Sequence, residues 1–426
     1  MNDLKTIWIW NHYATNMFFE KGGRHHWFGR HLIKKGYKVK IFCASTIHNS
    51  EEEVDTKGKT YFTDFSDGIE YVFIKTPKYT GNGKLRIKNM YAFYKELFPI
   101  SKEVAAKDGT PDVILASSVH PLTLVAGIRI AKKMNIPCVC EIRDLWPESL
   151  IEVGILARES LPAKVLYKGE SWIYKKADSL IFTMPGGSDY LKERGLDKKV
   201  DLKKVYNINN GIDLADYRRE ETEEVFDDKD LNDDSCFKVM YTGSIRRVNC
   251  VGDLVEAALI CGQKNDENIK FIIYGDGDQR EKLEAKAKEL GLDNIVFKGR
   301  VEKKYIPFIL SKGDLNVVTG EDSNLGRYGV SWNKLFEYMA SGKPIVANYN
   351  IQRYNFVDEY GFGEAKRYKD NGQFADAILK MAELDAKKYE ELCSNARKAA
   401  LDFDYENLTD RLEAILKKAV KVEEEV

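Results

Sequence analysis

The 426-residue sequence predicts an α/β fold made of two doubly wound domains, each built on a parallel sheet. Short β-rich apolar runs alternate with amphipathic helical stretches along most of the chain, the rhythm of strands joined by crossover helices. The rhythm restarts after an acidic stretch, Glu220–Asp234. The length also exceeds what one hydrophobic core usually supports, which favours two domains.

In chain order, Thr6–Trp10, Val39–Cys43, Tyr71–Ile74, Val113–Ala116, Cys138–Ile142 and Leu180–Phe182 read as buried strands of the first domain. Phe237–Tyr241, Ile269–Tyr274, Ile295–Phe297, Leu315–Val318 and Ile345–Ala347 read as strands of the second. The acidic stretch reads as a solvated loop just inside the second domain, with a ligand surface as the alternative. Phe403–Leu416 has the apolar spacing of a terminal amphipathic helix that can cross back to the first domain. The expected boundaries are 1–205, 206–402 and 403–426. No solenoid repeat is visible.

Apolar residues make up 43%, and Lys+Arg 66 against Asp+Glu 67 leaves a formal charge of -1, without the basic excess of a nucleic-acid binder. Seven cysteines lie in apolar or helical contexts without a CxxC pair, which reads as free thiols in a reducing cytoplasm and no zinc or other metal site. The N-terminus enters a strand without a signal-peptide pattern, and no apolar run reaches the roughly 18 to 20 residues that span a bilayer. A cytoplasmic protein is the expectation.

Ser331–Asn348 carries the most chemistry. It reads as a helix capped by Ser331 or Asn333 and closed by Gly342, followed by a buried strand opened by Pro344. Lys334 and Glu337 sit in its first turns, where exposed N–H groups and a lysine suit a diphosphate and a carboxylate suits sugar hydroxyls. Gly22, Gly23 and Arg24 precede another helix, a phosphate-approach signal that is otherwise a turn. Gly243, followed by Arg246 and Arg247, ends a strand where doubly wound sheets take anionic ligands; solvated arginines are the alternative. Gly275-Asp-Gly277 and Gly299-Arg300-Val301 repeat the strand-then-glycine pattern, and GxGxxG is absent. Asp144 and Trp146 can bind and stack on a sugar; the alternative pairs Arg143 with Asp144 or Glu141 and buries Trp146. His120 follows a strand, either facing the same site or as a satisfied polar residue. Lys84–Phe98 mixes cations and aromatics at helical spacing, suited to an anionic membrane or a lipid-linked substrate, or to docking on its own domain.

Together, Gly22-Gly-Arg24, Arg143-Asp-Leu-Trp-Pro147, Asn210-Gly-Ile-Asp213, Tyr241-Thr-Gly-Ser244, Gly275-Asp-Gly277, Gly299-Arg-Val301 and Lys334–Pro344 make the chain resemble family 4 glycosyltransferases (GT4) of the GT-B type. The likeness is greatest to bacterial surface-polysaccharide enzymes of the fucosamine-transferase branch. The resemblance implies two Rossmann-like domains facing a central cleft, the first on the acceptor side and the second on the donor side. It implies retaining, metal-independent transfer, without a cofactor, of a hexosyl or N-acetylhexosaminyl group from a nucleoside-diphosphate sugar, UDP favoured. The acceptor would be a saccharide, lipid-linked, in O-antigen, lipopolysaccharide or capsule assembly at the inner face of the cell membrane. Glu337 would hold the ribose, Asn333, Lys334 and Leu335 would meet the diphosphate, and Arg300 and Val301 would border the base. Gly22, Gly23 and Arg24 would close over the phosphates. Gly243, Gly275, Arg246, Arg247 and Asn249 would complete the donor side; Arg143 and Trp146 would hold the acceptor. His120, Asp144 and Glu337 are the expected catalytic residues. The family's first glutamate position is Gly329 here, leaving Asp322 or backbone amides for its sugar contacts. Two rival readings are a sugar-nucleotide 2-epimerase using His120, Asp144 and Glu148, and a non-catalytic nucleotide-sugar-binding protein.

Overall fold

The computed structural model describes residues 4–48, 50–81, 83–264 and 268–423. The chain forms two compact units: residues up to Asn209 together with those from Tyr405 onward, and Asn210–Asp404. The expected boundaries lie within a few residues of these, and 1–3 and 424–426 fall outside the described residues.

The first unit holds β1 (Thr6–Trp10), β2 (Lys38–Ala44), β3 (Tyr61–Ser66), β4 (Ile69–Ile74), β5 (Val113–Ser117), β6 (Cys138–Ile142), β7 (Ser179–Phe182) and β8 (Val205–Asn207). Their sheet order is β3-β4-β2-β1-β5-β6-β7-β8. All pair in parallel except β3 with β4. That hairpin, absent from the sequence reading, turns on Asp67-Gly68, both at positive φ (49° and 80°), the conformation that Asp-Gly favours in a tight hairpin. Because β1 pairs with both β2 and β5, the strand order reverses at β1/β5, and their carboxyl ends make the crevice where doubly wound sheets bind ligands.

The terminal helix Tyr405–Glu423 belongs to this unit. Leu408, Leu412 and Leu416 join the cluster that contains Ile7, Phe28 and Leu32, and the Tyr405 ring meets Phe28 edge-on at 5.3 Å. Lys35 adds ion pairs to Asp410 (2.6 Å) and Glu413 (3.1 Å).

The second unit holds β9 (Phe237–Thr242), β10 (Ile269–Tyr274), β11 (Ile295–Gly299), β12 (Leu315–Thr319), β13 (Ile345–Asn348) and β14 (Gly363–Lys366). The sheet is wholly parallel, in the order β11-β10-β9-β12-β13-β14, and reverses at β9/β12. Its faces bury alternate residues, Val239 and Tyr241 on one side and Met240 on the other, the period of two that a strand imposes. β14, short and partly exposed, was not anticipated. Among the described residues no helix is long and apolar enough to cross a membrane.

Candidate active-site residues

In the second unit the helix Asn333–Ala340 starts beside β9. Its N-cap is Trp332, with no side-chain cap, which corrects the expected cap: Ser331 instead accepts from the Asn210 amide at 2.7 Å. The Gly342 amide donates to Met339 at 3.0 Å, closing the helix before β13 as expected. The first turn thus keeps a helix start without a polar side chain over it, while Leu335, Phe336, Tyr338 and Met339 anchor the other face in the core. The Leu335 amide is spent on the Trp332 carbonyl (3.1 Å), so a ligand would have to displace that bond.

Lys334 folds back over β9. Its Nζ donates to the Tyr241 hydroxyl at 2.9 Å and lies 4.3 Å above that ring, a cation–π contact. It also stands beside Gly243, where an added Cβ would be 3.0 Å from Nζ. Burial pushes the ammonium down to about 8, and the charge of Glu337 one turn later partly opposes that shift. Tyr338 locks helix to strand by accepting from the Thr242 amide at 2.8 Å. Tyr241 was missed by the sequence reading, since a tyrosine inside an apolar strand reads as core.

Gly275 and Gly277 have a packing role. A Cβ at Gly275 would stand 1.8 Å from the Gly243 carbonyl, and one at Gly277 2.4 Å from that of Ile245. Only glycine lets the two loops cross and exchange the bonds Gly243 N to Tyr274 O (3.0 Å) and Ile245 N to Asp276 O (2.9 Å). Arg246, Arg247 and Arg300 are exposed, with Arg247 3.6 Å from Glu321. Asn249 is tied into its loop by Ser244 (2.9 Å), while Val301 packs against the core. Asn333 and Asp322 are exposed, and Glu337 is half-buried.

Gly329 closes a short 3-10 turn, Asn324–Tyr328, at φ +82°, a region that a glutamate side chain would strain. The departure from the family pattern is therefore built into the local backbone.

In the first unit His120 caps the helix Pro121–Met134 at the end of β5, and its Nε2 lies 2.7 Å from Nδ1 of His12 at the end of β1. Both rings are buried at the strand-order reversal. Burial pushes His120 down to about 3, with the Arg86 charge adding to it, and holds His12 well below the ordinary imidazole range, so both rings are neutral at physiological pH. His12 escaped the sequence reading.

Arg24 requires a correction. It is 3% exposed and faces inward, donating to Glu141 (2.7 Å) and to the carbonyls of Asn209 (2.6 Å) and Ile208 (2.9 Å). His25 (2.9 Å) and Ser117 (2.7 Å) occupy the other Glu141 oxygen. Burial alone would raise the Glu141 carboxyl, but Arg24 and His25 hold it well below the usual carboxylate range. Arg24 is thus a structural cation and is unavailable to a phosphate. Gly22 is buried and Gly23 caps the helix Arg24–Lys34 without a side chain.

Asp144 is exposed; Arg143 and Trp146 are half-buried. The alternative pairing of Arg143 with Glu141 gives way to the Arg24–Glu141 pair. Glu148 is held by Arg158 (2.6 Å) and Tyr167 (2.7 Å), which removes it from the acid–base roles of the epimerase reading.

The sequence halves match two family models: residues 27–216 match Glycosyltransferase Family 4, and 222–399 match Glycosyl transferases group 1. The chain is 24% identical to the probable glycosyltransferase WbjE of Pseudomonas aeruginosa over 75% of its own length and 78% of that protein's. It is 25% identical to the alpha-monoglucosyldiacylglycerol synthase of Streptococcus pneumoniae (strain ATCC BAA-255 / R6), over 64% of this chain and 59% of that protein. The crystal structure of Anabaena HepE in complex with UDP is similar in fold, with a TM-score of 0.65 and 15% identity over 97% of this chain and all (100%) of that one. With a glycosyltransferase model on each half and this fold, the chain belongs to the family 4 glycosyltransferases of GT-B type.

Proposed function

We infer that the chain transfers a sugar from a UDP-sugar, with retention and without a metal, to a saccharide or lipid-linked acceptor of cell-surface polysaccharide. The observation that carries this reading is Lys334, held over Tyr241 in the first turn of a helix whose start bears no side-chain cap, at the strand-order reversal of the second unit. A positive helix end and an ammonium are what a departing diphosphate needs, and they supply the stabilisation that a divalent ion gives elsewhere. In the proposed step the bond from the anomeric carbon to the β-phosphate oxygen breaks, and the acceptor oxygen bonds to that carbon on the same face. The acceptor's proton passes to the departing phosphate oxygen, so no protein nucleophile is required. HepE binds UDP, which supports the choice of base.

Glu337, in the second turn, would hold the ribose hydroxyls through charge-assisted bonds worth about 1.5–3 kcal/mol. Glu337→Ala should therefore raise the donor KM roughly tenfold to a hundredfold and lower turnover. A folded variant with unchanged kinetics contradicts the assignment.

The acceptor reading places this work at the cytoplasmic face of the membrane. The helix Lys84–Asp108 starts with exposed Leu85 (54%), Ile87 (65%) and Tyr91 (58%) among Lys84, Arg86 and Lys88. Cations at a helix start oppose its dipole, so their placement fits an anionic surface better than helix stability. Leu85→Glu with Ile87→Glu should abolish co-sedimentation with anionic phospholipid vesicles; undiminished binding would rule out this helix as the contact.

A further inference from the structure

The carboxyl ends of β1, β2 and β4, neighbours in the sheet, lead to Tyr13, His48 and Tyr79, and the start of the helix Lys84–Asp108 adds Arg86 to them. The Arg86 Nε donates to the Tyr13 hydroxyl at 2.9 Å. The Tyr13 ring stacks on His48 (4.3 Å between centroids, 11° between planes), and His48 Nδ1 lies 2.6 Å from the Tyr79 hydroxyl. Tyr13 also meets the His12 ring at 4.6 Å, so the cluster borders the His12–His120 pair at the β1/β5 crevice. The Arg86 charge adds to the burial that lowers His120, and it acts with Arg143 against the rise that burial imposes on Asp144.

Among the described residues from Gly83 to Lys88, Arg86 is the one that is not exposed. Leu85 and Ile87 on either side stand in solvent, so the guanidinium turns away from them toward the β1 loop. It is half-buried, in contrast to the 3% exposure of Arg24, and so remains within reach of a ligand. The helix start has no side-chain cap and no acidic residue in its first turn. A cation there, with the helix N–H groups behind it, suits a phosphate, whose oxygens the guanidinium fork matches two at a time. In the proposed membrane contact Leu85 and Ile87 enter the bilayer interface, and Arg86 lies between them at about 1.5 Å of helix rise from each. A lipid-linked saccharide with its sugar in the crevice and its lipid in the bilayer has its phosphate linkage between the two, at the level of Arg86.

We propose that Arg86, oriented by Tyr13, binds the phosphate group that joins the acceptor's saccharide to its lipid. This deepens the transferase reading and rests on it for the identity of the acceptor, whereas a phosphate site at Arg86 stands without it. Tyr13 is a positioning residue that fixes the plane of the guanidinium, and His48 holds the Tyr13 ring in place.

Inorganic pyrophosphate titrated into the full-length Lys334→Ala protein reads this site apart from the donor site. It should bind, shift the ring resonances of His48 (assigned by their loss in His48→Gln), and lose affinity roughly tenfold to a hundredfold when Arg86→Gln is added. Arg86→Lys, which keeps the charge without the fork, should recover part of that loss. A lower Tm with unchanged pyrophosphate affinity in Arg86→Gln would make Arg86 a clamp only, and that result, or no binding at all, overturns the proposal. Vesicles separate the sources of the phosphate. Phosphatidylcholine vesicles carrying a long-chain alkyl diphosphate should retain the native protein far better than Arg86→Gln, while mixed phosphatidylcholine and phosphatidylglycerol vesicles should bind both alike through Lys84, Lys88 and the apolar pair. A loss confined to the phosphatidylglycerol vesicles would assign Arg86 to bilayer headgroups and overturn the acceptor role. If the native protein transfers no sugar from any donor but pyrophosphate binds through Arg86, the transferase reading fails while the phosphate site stands.

Discussion

Arg24→Ala should destabilise the first unit by about 3–5 kcal/mol, the usual cost of stranding one member of a buried ion pair. Glu141 is fully buried on the central strand β6, and Arg24 spends its guanidinium on that carboxylate and on the carbonyls of Ile208 and Asn209 at the end of the unit. Truncation removes this donor from both carbonyls and leaves the Glu141 carboxylate, still bonded by His25 and Ser117, without its buried counter-charge. For a unit of about 200 residues such a loss corresponds to a fall in Tm of roughly 10 °C. The pH dependence has a definite sign. Because folding depresses the Glu141 carboxyl below its ordinary 4.5, the pair's contribution is fully present above that pH and disappears as pH falls below it. The gap between native and variant melting temperatures should therefore be widest near neutrality and narrow on acidification. A variant that melts with the native protein at pH 7 would return Arg24 to the ligand role that its neighbouring glycines suggest.

Lys334→Ala should weaken donor binding strongly and remove its dependence on pH. Loss of a charge-assisted contact to the diphosphate costs about 2 kcal/mol, roughly thirtyfold in donor Kd. Since burial brings this lysine down to about 8, the free protein loses the charge as pH rises through that value, and donor binding must then take a proton back. Native affinity should fall about tenfold between pH 7 and 9, while the alanine variant stays flat. The same shift acts on folding with the opposite sign: between about 8 and the ordinary 10.5 the unfolded chain binds more protons, so stability gains as affinity declines. Calorimetric titration across that range separates the two. A pH-independent native affinity would remove Lys334 from the diphosphate site.

The strands were legible because buried parallel strands are continuous apolar runs: β1, β6 and β10 have the bounds read from sequence. β3 was missed although Asp67-Gly68 is a hairpin signal, because Thr63, Asp64 and Ser66 interrupt its apolar residues. Side-chain direction was the main loss. A Gly-Gly-Arg at a helix start looks the same whether the arginine meets a phosphate or a carboxylate 117 residues away. Likewise the Gly275 and Gly277 spacing records a loop crossing, which resembles a ligand loop in sequence. Lys334 was legible because helix start, lysine and glutamate are local. Its partner Tyr241, 93 residues distant, was not. His12 carried no signal, since its contact with His120 depends on β1 and β5 coming together.

The central claim is that a UDP-sugar binds at Lys334. Thermal unfolding of native protein and Lys334→Ala against a panel of UDP-, GDP- and dTDP-sugars tests it most directly, since a ligand at a hundredfold its Kd adds about 2.7 kcal/mol to the folded state. A UDP-sugar should raise the native Tm, and the shift should largely disappear in Lys334→Ala at the same concentration. No shift with any nucleotide sugar, or an equal shift in both proteins, would contradict it.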